Sequence, residues 1–298
     1  LLGYKKDNTL LNVSPLTWGK VMIKESIQTA LLLTAVISFS SFAQDPLPPP
    51  PEVATYKNRV VFERTPDKFT ILRDGQEIFT FEGNISRDLI LHQGYNLSKI
   101  GSLKEINDPL IIVQTFSGGA HCCYMADILD LDKINLVLAH FDGNNSDVVI
   151  TQLKGKNGFR IQIQDASYSY EWTSYAYSHA PAVVFNFEDG KVSLNLNEMR
   201  KPPLTLEQLN NVITEINKAE KYFEGSADMT PYYGNLLQPI LDLIYSGNAD
   251  QVRPIIDGTW PRDEASKHKF LKELQEKVEK NKFWPGLKQL NKCERLFL

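Results

Sequence analysis

The chain has only three cysteines in 298 residues, and two of them, Cys122 and Cys123, are adjacent. Metal sites usually space their cysteines by two to four residues so that both side chains converge, and this sequence has no such pair. Basic excess is also missing: Lys+Arg 32 against Asp+Glu 36 gives a formal charge of −4. With no long basic cluster either, the chain carries no electrostatic footprint for nucleic acid. There is no serine-nucleophile elbow, no His-Glu-x-x-His zinc motif and no phosphate-binding glycine loop, so the familiar hydrolase and nucleotide-binding signatures are excluded. A 34-residue helical repeat is absent as well.

No apolar run reaches the roughly 20 residues that span a bilayer. The longest, Ala30 to Phe39, follows Met22 and Lys24 and precedes the small residues of Ser41-Phe42-Ala43, so residues 22–43 read as a secretory signal peptide cleaved before Gln44. No cysteine stands at the cleavage point, which favours ordinary bacterial export over lipidation. Residues 1–21 precede the candidate start methionine and are expected to be an upstream artefact. The expectation is a periplasmic or extracellular protein with no stable transmembrane insertion after cleavage. Residues 44–56 include Pro46 and Pro48-Pro49-Pro50-Pro51 and read as an extended proline-rich linker.

Beyond the linker two regimes follow. From 57 to 200 the pattern alternates in strands: Arg59–Glu63, Phe69–Leu72, Glu77–Phe81, Leu110–Phe116, Tyr124–Leu131, Leu136–Phe141, Val148–Leu153, Phe159–Gln164, Ala182–Phe187 and Lys191–Asn195. Turn signals at Asp74-Gly75 and Asp189-Gly190 make hairpins of two pairs. From 201 to 292 the period becomes about 3.6, opening with a capping box at Thr205 and Gln208 and a staple of Leu204 on Leu209. Leu209, Val212, Ile213, Ile216 and Phe223 mark one helical face. Further helices are expected over Asn235–Tyr245 (kinked or restarted at Pro239), Ala249–Ile256 and Arg262–Phe283, and residues 293–298 form a tail. The fold class is therefore α+β by segregation: an N-terminal antiparallel all-β domain, a sandwich or propeller-like sheet stack, then a small C-terminal helical module.

Ser117-Gly118-Gly119-Ala120-His121-Cys122-Cys123 is the most distinctive string. Four readings compete. A vicinal disulfide between Cys122 and Cys123 is preferred, because an oxidising compartment leaves few adjacent thiols unmodified and Gly118-Gly119 supplies a permissive backbone. The cysteines as small buried apolar side chains come next. Copper or zinc held by His121, Cys122 and Cys123 is third, and a cysteine nucleophile with His121 as base is last. Cys293 could instead pair with either cysteine.

His140 to Val149 contains Asp142, Asn144 and Asp147 in a degraded calcium-loop pattern, and a Gly-Asn hairpin loop is preferred to a calcium site. Tyr168, Tyr170, Trp172, Tyr175 and Tyr177 crowd a serine-rich segment. They read either as a stacking surface for glycan or peptide or, preferred, as a loop folded back with its rings buried and hydroxyls satisfied.

Phe116 to Cys123, the following apolar strand, the Asp142-Gly143-Asn144 loop and the segment ending Tyr177-Ser178-His179-Ala180-Pro181 resemble uncharacterised exported bacterial proteins with an SGGAHCC-type signature. Those are distantly similar to FG-GAP or integrin-type β-propeller blades. The resemblance spans about residues 105–195 and implies no activity. The leading functional expectation is an exported, non-enzymatic binding or structural protein, its partner an envelope protein or glycan, with no cofactor. An envelope metal-binding protein is the alternative. A cell-wall or glycan hydrolase using two of Asp142, Asp147, Asp165 and Glu171 is the second alternative.

Overall fold

The computed structural model describes residues 52–65, 68–82, 90–93, 96–99, 105–106, 108–116, 123–133, 136–221, 230–261 and 263–297. The expected signal peptide, the expected linker as far as residue 51, His121, Cys122 and Phe223 lie outside these residues. Among the described residues, no helix is long and apolar enough to cross a membrane.

The fold is α+β by segregation, as the periodicity predicts. The first sheet contains β1 (Glu52–Tyr56), β2 (Val60–Arg64), β3 (Lys68–Arg73) and β4 (Gln76–Glu82), with the short β7 (Glu105–Ile106) parallel to β1. The second has the order β10-β9-β8-β5-β6, from β5 (Ile90–Gln93), β6 (Asn96–Lys99), β8 (Leu110–Phe116), β9 (Tyr124–Asp130) and β10 (Val137–Asn144). The third joins β11 (Val149–Gln152), β12 (Gly158–Gln164), β13 (Ala182–Glu188) and β14 (Lys191–Leu194). Apart from the β1–β7 pair, the ladders are antiparallel.

β1 corrects the last part of the expected linker: residues 52–56, expected to be extended spacer, pair with β2 as a strand. The hairpin turn that makes β1 possible is Lys57-Asn58, with φ of 49° and 55°. A lysine in the left-handed region carries no turn signal, whereas Asp74-Gly75 and Asp189-Gly190 adopt the same conformation and announce it.

The second sheet is the central layer. On one face Ile111, Val113 and Leu129 pack against Ala54, Phe62, Phe69 and Ile71 of the first sheet. On the other, Ile112, Ala126 and Ile128 join a larger core with Phe159, Ile161 and Phe187 of the third sheet and with the helices. Burial on both faces explains why β8 reads as an unbroken apolar run (Leu110 to Val113) while β12 alternates cleanly.

The helices are α1 (Leu196–Met199), α2 (Leu206–Lys221), α3 (Thr230–Tyr245), α4 (Val252–Thr259), α5 (Glu264–Glu279) and α6 (Trp284–Asn291). The capping box forms as expected: Gln208 N donates to Thr205 Oγ1 at 3.2 Å and Thr205 N to Gln208 Oε1 at 2.9 Å. α3 starts a turn before its expected position and runs through Pro239, because Leu236, Leu237, Ile240, Leu241 and Ile244 bury one continuous stripe. The helix expected over 262–283 ends at Glu279, and α6, which no expectation covered, follows it. Asn281 Oδ1 accepts from Phe283 N at 2.7 Å, turning the chain, and Trp284-Pro285 starts α6.

The Lys201-Pro202-Pro203 segment is tied down at both ends. Lys201 N donates to Ser246 O at 3.1 Å, and Leu204 exchanges two 2.8 Å hydrogen bonds with the Gln251 side chain. Phe185 of β13 meets Phe141 of β10 at 5.5 Å and Phe283 at 5.8 Å, so strands and helices share one apolar interior.

Candidate ligand-binding site

Where β12 ends, Asp165 turns the chain into a short 3-10 segment, Ala166–Tyr168. Its Oδ1 accepts from Ser167 N at 3.1 Å and Ser167 Oγ at 2.7 Å. Its Oδ2 accepts from the Tyr245 hydroxyl and from Asn281 Nδ2 at 2.7 Å. Tyr168 Oη lies 3.2 Å from Tyr245 Oη, and Asn281 Nδ2 also lies 2.7 Å from Ser167 Oγ. Asp165, Tyr168 and Tyr245 are all buried. Burial pushes both phenols far above their ordinary range, and the neighbouring Asp165 carboxylate adds to it. Each phenol therefore stays a neutral donor. The network joins the sheet end (Asp165), α3 (Tyr245) and the α5–α6 turn (Asn281).

Above this floor opens a cavity of about 400 Å³, within the range of small-molecule sites. One wall is the β10 end, Asp142 and Asn144; the other is Lys277, Lys280 and Lys282, with Ser167 and Asn281 at the base. Asp142 Oδ1 accepts from Asn144 N at 2.8 Å, and Asn144 adopts a φ of 57°. Lys277 is neutralised by Glu171. Lys280 and Lys282 are exposed and make no ion pair among the described residues. The smaller cavity near Arg73 differs, since Lys57 pairs with Asp132 and Arg59 with Asp74.

Gly143 sets the wall's shape. A Cβ there would sit 2.3 Å from the Ser146 carbonyl oxygen and 2.9 Å from Val148 Cγ2. We expect Gly143→Ala to cost about 1–3 kcal/mol through forced backbone displacement, read by urea denaturation. A loss below about 0.5 kcal/mol, the range of neutral surface changes, would show that the loop gives way freely.

Of the aromatic residues singled out by sequence, Tyr168 belongs to the buried floor and Trp172 packs edge-on against Phe270 at 5.6 Å. Tyr170 and Tyr177 are exposed, and the Tyr175 ring lies 5.3 Å from that of Tyr170. Asp142 and Asn144 meet in the cleft, while Asp147 is exposed and lies outside its lining. Among the described residues, no group of three His, Cys, Asp or Glu side chains could hold a metal ion. Cys123 is half-buried, and Cys293 is a free thiol pushed up chiefly by burial. His140 Nδ1 lies 2.8 Å from Asp127 Oδ1 across a rung of β9 and β10. Burial pushes the Asp127 carboxyl up, against the opposing pull of His140.

Sequence reading missed Tyr245, Lys280, Asn281 and Lys282 as site residues. The one available signal was Asn281 as a helix stop, inside the helix expected to reach Phe283.

No family model matches the chain, and no curated protein matches it.

The arrangement suits binding better than proton transfer. Asp165 already accepts four hydrogen bonds, which fills the acceptor sites of a carboxylate. Among the described residues lining the cleft, Asp142 is the carboxylate with an oxygen left for a ligand.

Proposed function

We propose that this chain is an exported, non-enzymatic binding protein whose ligand occupies the cleft between the β10 end and the α5–α6 turn. The observation that carries the reading is Asp165, whose acceptor sites are all used by the protein's own groups. It fixes a rigid polar floor beneath an open, mixed-charge cavity, the preorganisation that lowers the ordering cost of binding. Export rests on the segment from Met22 to Ala43. An envelope location also accounts for the cysteines. Cys293 is a free thiol, and we assign the adjacent Cys122 and Cys123 to a disulfide with each other.

Two measurements test this. Intact mass of protein recovered from the periplasm, with and without alkylation, is expected to show a start at Gln44, one alkylatable thiol and a two-dalton deficit in the peptide holding Cys122 and Cys123. Three alkylatable thiols with bound copper or zinc would replace this reading with the metal-binding alternative. For the cleft, the backbone amides of Asn144, Ser167 and Asn281 are followed by NMR as a soluble cell-wall digest is added. Saturable shifts without turnover of the digest support binding; unmoved amides, or release of reducing ends, overturn it.

A further inference from the structure

Resting on the reading of this cleft as a ligand site, we infer that its ligand is an anionic sugar: a polyhydroxylated ring bearing one carboxylate or phosphate group. The two walls ask for different chemistry. Lys280 and Lys282 are paired with no carboxylate among the described residues, and they flank Asn281, whose side chain is held in the floor network. Their ammonium groups supply charge without a fixed fork, so they suit an anionic oxygen and do not distinguish carboxylate from phosphate. Lys277, the third cation on that wall, is already neutralised by Glu171.

The opposite wall accepts hydrogen bonds. Among the described residues Asp142 accepts one hydrogen bond, from Asn144 N to one of its two oxygens, and beside it the Asn144 amide donates to Gln164 O at 3.4 Å, leaving its oxygen and second N–H for a ligand. A carboxylate and an amide side by side suit vicinal hydroxyls, which donate to the first and exchange hydrogen bonds with the second. A bare anion would meet the lysines but also face the charge of Asp142. A neutral sugar would satisfy Asp142 and leave the Lys280 ammonium to water and that of Lys282 to water and the Phe283 ring, 5.0 Å from it. A ring with hydroxyls at one side and an anionic group at the other uses both walls, and the cavity of about 400 Å³ is of small-ligand size. The lysines are exposed, so the charge contribution is screened by salt.

The test titrates the ¹⁵N-labelled chain with galacturonate, glucose 6-phosphate, galactose and inorganic phosphate, following Asn144, Ser167 and Asn281. The expected result is saturable shifts with at least one anionic sugar. Galactose and phosphate should bind at least about tenfold more weakly. The variant Lys280→Gln/Lys282→Gln should lose about tenfold in affinity for the anionic sugar, as should the wild type in 0.5 M salt. Which of galacturonate and glucose 6-phosphate binds assigns the anion as carboxylate or phosphate. Galactose binding as tightly as the anionic sugars overturns the ligand class while leaving the cleft a binding site. Phosphate binding as tightly reduces it to an anion site and also overturns the class. No shift with any of the four overturns the inference; the cell-wall digest then reports separately on whether the cleft binds at all.

Discussion

Asp165→Ala is expected to lower the unfolding free energy by about 2–4 kcal/mol. Its carboxylate is buried and accepts from Tyr245, Asn281 and both donors of Ser167. Each buried donor left without a partner costs about 1–3 kcal/mol. The total is held down because Asn281 keeps Ser167 Oγ as an acceptor and because the adjoining cleft admits water. The loss should be shared with Tyr245. Tyr245→Phe in the wild type removes the donor to Asp165 and the partner of Tyr168. In the Asp165→Ala background it should cost less by about 1–2 kcal/mol, the coupling typical of one network. Urea denaturation of the two single variants and the double variant measures the cycle. Additive effects, or a loss under 1 kcal/mol for Asp165→Ala, would mean that the floor is not the rigid unit on which the binding reading depends.

Phe185→Ala should cost about 3–5 kcal/mol, the range for a buried phenylalanine. Against a typical total of about 5–15 kcal/mol that is a large fraction. The ring stands between Phe141 and Phe283, where strand and helix side chains meet in one core. Its loss should therefore move the whole chain's transition together. The check is coincidence of two probes: tryptophan fluorescence, dominated by Trp172, Trp260 and Trp284 near or within the helices, and far-ultraviolet circular dichroism, which sums strands and helices. If the fluorescence transition stayed at its wild-type midpoint while the dichroism moved, the helices would be an independent unit and the shared core energetically empty.

Strand positions from β8 onward, both Asp-Gly hairpins and the Thr205–Gln208 capping box were legible in the sequence. Each depends on residues within a few positions of one another: alternation, a left-handed turn residue, or a side chain reaching three residues along. The same locality explains the failures. β1 was hidden because its turn uses Lys57-Asn58, and the end of α5 was hidden because Asn281 sits inside the span expected to stay helical as far as Phe283. The double-sided burial of β8 showed only as an apolar run, which a single-faced strand or a short buried helix can also produce.

The cleft belongs wholly to tertiary structure. Asp165 and Asn281 are 116 residues apart and bond at 2.7 Å, and the Asp142 wall comes from a third segment. The sequence by itself determined where the chain alternates, turns and coils, because those preferences are set by neighbouring residues. Packing alone decided which polar side chains face one another, because that follows from the stacking of the sheets and the docking of the α5–α6 turn against them.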